Sequence, residues 1–157
     1  MARIDKKTLW LVTAAAAALL LLLQFCPATR SPNTLTLKTS SGVVTIDVVD
    51  SPERRLFALG TLTRLPPGRG LWLLFEDTER PSLWSKALQV EADLVWLDET
   101  RQIVDRDLRV QPCQNTPCPD YIPDRGAVSV LVLPPGTADD AELAVGQTAF
   151  LRPAASA

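Results

Sequence analysis

Two cysteines, one lysine beside a tryptophan, several paired carboxylates and a lone tyrosine make up most of the side chains here that could do chemistry. Cys113 and Cys118 stand in QPCQNTPCPDYIPDR, Gln111 to Arg125, with four residues between them. A stretch so rich in proline cannot run as a regular helix or a central strand, and it predicts a rigid surface loop. The gap suits the ~5.5 Å Cα separation of a disulfide if the loop folds back. A bridge that only stiffens the loop is the leading reading. A redox-active pair is disfavoured, because such dithiols usually sit as CxxC at a helix start. Two thiols without other soft ligands would not fill a tetrahedral metal site.

Lys86 is one of two lysines after Ala28 and follows Trp84 by two residues, so on a strand the two would share a face. Such a lysine is a ligand clamp or a general acid, or more often a side chain whose stem covers the ring while its ammonium stays in water. Asp93 and Asp98 are candidate carboxylates, but five positions apart on one strand they point to opposite faces. Asp105 and Asp107 share a face, where solvated edge charges are the expected role. Tyr121, in the proline-rich loop, is the aromatic expected to be presented outward; Trp72, Trp84 and Trp96 read first as core. The candidate binding set is therefore Trp84, Lys86, Asp93 and Tyr121, with no catalytic residue assigned.

The chain contains no histidine, which removes His general bases and His metal ligands from the choices. No cofactor motif is present and none is expected. Nor does any basic stripe interleaved with aromatics suggest a nucleic-acid partner.

The elements that must carry these residues begin after an apolar N-terminus. Arg3, Lys6 and Lys7 precede an uncharged run, Leu9 to Leu23, and Cys26-Pro27-Ala28 offers small residues at the −3 and −1 positions of a cut after Ala28. That is the layout of a secretory signal, with a retained membrane anchor as second choice. A lipid-modified Cys26 is disfavoured by Phe25 before it. Either main outcome places the folded part in the periplasm or outside the cell, where thiols oxidise. Membrane contact is then expected only through residues 1–28, if uncleaved. Without them the chain carries 13 Lys and Arg against 17 Asp and Glu.

Residues 29–41 read as a polar linker with one short strand from Thr34 to Lys38, 42–152 as the folded domain and 153–157 as a tail. Val44, Ile46 and Val48 alternate as one face of a strand. Ser51-Pro52-Glu53 starts a short helix with Leu56, Phe57 and Leu59 as its buried stripe and Gly60 at its end. Leu71 to Phe75 is an apolar strand after the LPPGRG turn, and Ser82 to Val90 reads as extended. Asp93 to Asp98 reads as a strand covered on both sides. Ile103 to Val110 returns as its hairpin partner, with Val104, Leu108 and Val110 on one face. Ala127 to Leu133 is a further strand, Ala138 to Ala144 one or two helical turns, and Gln147 to Leu151 a last strand. The tally predicts a mainly β (α+β) domain: a compact antiparallel, barrel-like sheet with two short helices, preferred over any βαβ arrangement.

The segments SPERR (Ser51 to Arg55), LPPGRGL (Leu65 to Leu71), WSKALQVEADLVWLD (Trp84 to Asp98), IVDRDLRVQPC (Ile103 to Cys113) and PCPDY (Pro117 to Tyr121) follow one another in an order that resembles the DUF192 family of small bacterial and archaeal domains. The resemblance covers roughly Val43 to Phe150. Where that family usually reads W-M-K-N-T, Trp84 and Lys86 match while Ala87 and Leu88 replace two polar groups. Asp93 and Asp98 match as well. Glu91 stands at a usual proline, and Arg101 at a glycine common in the following turn. The resemblance implies a small β-rich domain with short helices and no defined activity. From the residues, the expected function is an exported, non-enzymatic binding or accessory module for an unidentified envelope ligand or protein. The alternative is a carboxylate- or lysine-dependent enzyme acting on an envelope sugar or lipid.

Overall fold

The computed structural model describes residues 34–76 and 80–154; the expected signal or anchor over residues 1–28 and the final residues 155–157 lie outside them. Nine strands are described: β1 (Thr34–Thr39), β2 (Gly42–Val49), β3 (Arg69–Leu74), β4 (Leu83–Trp84), β5 (Ala92–Leu97), β6 (Ile103–Val110), β7 (Asp120–Tyr121), β8 (Ser129–Leu133) and β9 (Leu151–Pro153). Helix α1 (Pro52–Thr61) follows β2, a 3-10 turn (Ser85–Ala87) follows β4, and the single turn α2 (Thr137–Asp140) follows β8. Among the described residues no helix is long and apolar enough to cross a membrane.

Seven strands form one sheet in the order β6-β5-β8-β3-β2-β1-β9, and β4 pairs with β7 in a separate ribbon. β2 and β3 run parallel, from Thr45 beside Arg69 to Val49 beside Leu73, and the other paired strands are antiparallel. Two expectations are corrected here. The sheet is mixed and open rather than a closed barrel, and β2-α1-β3 is a βαβ unit. A parallel neighbour needs a crossover of a dozen residues or more, and the stretch 50–68, helix included, supplies it.

The curl behind the barrel expectation is real but stops short of closure. Ile103 N donates to Gln147 O at 2.7 Å and Ala149 N to Arg101 O at 2.9 Å, at the start of β6. Two residues later Leu151 pairs with Leu37 of β1. That span reaches at most about 7 Å, so one strap ties both sides of the sheet together at this end.

Side-chain alternation divides the core by face. Leu94, Trp96, Val130, Val132, Leu71 and Leu73 pack with Leu59 of α1 and with Leu83 and Leu88. On the opposite face Val95, Leu97, Leu131, Leu133, Trp72, Ile46 and Val44 pack with Ala138, Leu143 and Ala149. All of β5 and β8 is buried, as befits strands covered on both sides. Packing is tight enough to dictate a glycine: a Cβ on Gly70 would lie 2.9 Å from both Ile46 Cδ1 and Leu133 Cδ2.

Helix α1 starts as its sequence dictates, with Ser51 Oγ accepting from Arg54 N at 3.4 Å and Pro52 opening the first turn. It continues through Gly60 to Thr61. Its inward stripe is Arg55, Ala58, Leu59 and Leu62, at i, i+3, i+4 and i+7. Leu59 is buried, Ala58 and Leu62 pack beside it, and Leu56 and Phe57, expected in the core, are each 72% exposed because they fall off that stripe. β6 departs from simple alternation for another reason. Register shifts against β5 between Ala92 and Leu94 and between Trp96 and Leu97 mark two bulges, and they leave Leu108 exposed while Val104 and Val110, expected on its face, pack into the α1-side core.

Candidate functional site

The proline-rich loop is closed by the Cys113–Cys118 disulfide, with Cα atoms 5.6 Å apart. Its outgoing strand β7 lies against β4, pairing Tyr121 with Leu83 and Asp120 with Trp84. Ser85 N donates to Pro119 O at 3.0 Å, and Cys113 N to Ser85 O at 3.4 Å. Thus the stapled loop holds the Trp84-Ser85-Lys86 segment in place. Three of the four candidate binding residues, Trp84, Lys86 and Tyr121, therefore lie on one loop-supported corner.

Their roles within it differ from expectation. Trp84 is the presented aromatic, 48% exposed, whereas Tyr121 is half-buried and packs against the core beneath. Trp72 and Trp96 are core residues. Ser82 to Val90 is broken by the 3-10 turn, so Lys86 reaches Trp84 by turn geometry and not along a strand. Its Nζ lies 5.4 Å from the Trp84 ring centroid, a cation–π contact that leaves the ammonium in water.

Asp93 is not part of this corner. It is 1% exposed, on the sheet face shared with Val95 and Leu97, whereas Trp84 stands beside Leu83 on the other side. Its Oδ1 accepts from Arg109 N at 2.9 Å, the amide displaced by the β6 bulge, where Arg109 has a φ of 52°. Oδ2 accepts from Ala138 N at 3.1 Å, capping α2. Both carboxylate oxygens are spent on backbone amides, a structural employment.

The remaining carboxylates follow the same accounting. Asp98 Oδ1 accepts from Thr100 N, Thr100 Oγ1 and Gln102 N at 2.7–2.9 Å, which builds the β5–β6 turn. Burial alone would raise its pKa; the Thr100 hydroxyl and the two amides outweigh that and hold it below the ordinary value. Asp107 Oδ2 accepts from Trp96 Nε1 at 2.9 Å. Burial pushes its carboxyl up, the Trp96 bond opposes this, and the charges of Asp105 and Asp124 add to the rise. Among the described residues no ion pair joins Lys86 to a carboxylate. No cluster of three or more His, Cys, Asp or Glu side chains among them is placed to hold a metal.

Beside Trp84 the surface opens into a groove of about 350 Å³ between α1 and the β4 turn, lined by Pro52, Arg55, Leu56, Leu59, Phe75 and Trp84, among others. Its walls are chiefly apolar. Arg55 is fixed at its edge: Nη1 donates to Leu74 O, and the guanidinium carbon sits 4.9 Å from the Phe75 ring centroid. Sequence reasoning found Trp84 but missed Arg55, Leu56 and Phe75. No sequence signal singles them out, because Leu56 and Leu59 are three apart and fit one stripe until the sheet fixes the rotation of α1.

This curled mixed sheet with one βαβ crossover is the fold of a class of small β-rich domains. The DUF192 family model, described as an uncharacterized ACR, matches residues 34–150, and the chain is a member of that family. A crystal structure of a Sinorhizobium meliloti protein, described as a candidate transcription regulator, is similar with a TM-score of 0.58 at 20% identity, over 76% of this chain and 89% of that one. A Novosphingobium aromaticivorans protein of unknown function is similar with a TM-score of 0.61 at 15% identity, over 74% of this chain and 83% of that one. At such identities the likeness is one of fold. No curated protein matches the chain.

Proposed function

We propose that the domain is an exported, non-enzymatic binding module whose ligand site is the groove between α1 and Trp84. The observation that carries this reading is the groove itself: an apolar concavity of about 350 Å³ with Leu56 and Trp84 left exposed at its rim. Such a volume falls within the range of small-ligand sites, and exposed apolar rims commonly mark contact surfaces. Export is supported by the signal-like N-terminus and by the disulfide, a bond that oxidising compartments favour. The fate of the carboxylates also favours binding over catalysis, since Asp93 and Asp98 are occupied with backbone amides.

The groove is tested with Nile red, an uncharged apolar dye. The wild-type protein is expected to raise its fluorescence saturably. Leu56→Lys, a change at an exposed helical position, is expected to weaken that binding about fivefold or more by placing a charge on the groove wall, with an unchanged circular dichroism spectrum. Equal binding by the two folded proteins would remove the groove as the site.

A further inference from the structure

We infer that the ligand of this groove is an anionic amphiphile, a single short acyl chain ending in a carboxylate or phosphate head; this rests on the groove being the binding site. Size and charge both point that way. A groove of about 350 Å³ with chiefly apolar walls is of small-ligand size and suits a single short chain.

Arg55, which lines the groove, and Lys86, which lies against one of its lining residues, supply the head-group specificity. Arg55 and Lys86 each lie against an aromatic ring that helps shape this corner, Phe75 and Trp84 respectively. Stacking restricts where each cation can go, so less freedom remains to be lost when an anion arrives. Ion pairs among the described residues use Arg54, Arg69 and Arg106, and neither Arg55 nor Lys86 takes part in one. On a domain whose overall charge is negative, Arg55 in the groove lining, with Lys86 against the Trp84 ring that also lines it, favours an acidic head over a cationic one. Both carboxylates and phosphates suit a guanidinium fork; the source of the ligand, free acid or phosphorylated lipid, is left to the competitors below.

The test uses the full chain in phosphatidylcholine vesicles, labelled with a diazirine-bearing decanoic acid and mapped by peptide mass spectrometry. Labelling is expected in residues 56–64 and 81–86, displaced by decanoate or decyl phosphate and not by decyltrimethylammonium. Whichever anion displaces at lower concentration identifies the source. Arg55→Met and Lys86→Met are each expected to weaken displacement by the anions about three- to tenfold, and Lys86→Met keeps the test valid if the Arg55 variant folds poorly. Equal displacement by the cationic and anionic amphiphiles would overturn the head-group inference and leave the groove standing. Labelling spread over other surfaces would overturn both.

Discussion

Three aspartates within a short stretch of chain show how neighbours set the use of one functional group. Asp93 is buried with two amide donors, Asp98 takes three donors at a turn, and Asp107 takes one indole N–H while other acids crowd it. The last two are shifted in opposite directions, which has a sign in stability. Asp107, raised by burial, contributes stability that is fully present below its unfolded pKa of about 4 and is lost as pH climbs through its folded value. Asp98, lowered in the fold, contributes stability present above about pH 4 and lost as pH falls through its folded value. Asp107→Asn keeps an oxygen for Trp96 Nε1 but cannot ionise. In urea melts from about pH 3.5 to 6.5 the variant should therefore gain on the wild type as pH rises, by less than about 1 kcal/mol given solvent screening at a half-buried site. The acid-side loss from Asp98 should remain in both proteins. Parallel curves would show that Asp107 bears no folded-state penalty on ionising.

At the scale of elements, α1 is held by its cap and one stripe, and Gly60 is a weak point inside it. No atom lies within 4 Å of where its Cβ would stand. Gly60→Ala is expected to stabilise the protein by about 0.5–1 kcal/mol, seen as a rise of about 2–5 °C in Tm. Gly70→Ala, which would drive a methyl into Ile46 and Leu133, is expected to lower Tm instead. The helix start was legible because capping is local: Ser51, Pro52 and Glu53 act within one turn. The choice between Leu56 and Leu59 for the core was not, since three apolar residues so close together fit more than one stripe until the sheet fixes the helix's rotation. The strands divide in the same way. β5 was readable from its unbroken apolar run, whereas the bulges of β6 arise from pairing with β5 and leave no mark in the order of Val104 and Leu108. Arg101 is an instructive middle case. It adopts a φ of 64°, the left-handed backbone suggested by a family glycine at that position, and its guanidinium covers the Trp72 ring at 5.4 Å. The left-handed conformation costs a non-glycine residue about 1 kcal/mol.

For the molecule as a whole, the stapled loop backs the β4 segment that forms one wall of the groove. The cysteine pair was legible from spacing and context; the β4–β7 pairing that brings its loop to Trp84 and Lys86 was not, because two residue pairs leave no periodic signal. The βαβ crossover was not, because a ten-residue helix with exposed leucine and phenylalanine gives little periodic signal of what it packs on. The β4–β7 ribbon is only two pairs long, and hydrogen bonds at Ser85 extend it into the loop. So short a ribbon relies on the loop's closure to hold its register. Replacing both cysteines, Cys113→Ser with Cys118→Ser, restores the freedom of a short loop in the unfolded chain and should cost about 2 kcal/mol in the chain-entropy description. The effect on the site should exceed the effect on the sheet: Nile red binding falls because Trp84 loses its backing, while the amides of β5 and β8, buried between two layers, stay protected from hydrogen exchange at temperatures below the melt. Reducing the wild-type protein should reproduce both changes. If the double variant bound the dye as the wild type does, the loop would be an ornament to the groove and the site's order would have to come from α1 and the sheet alone.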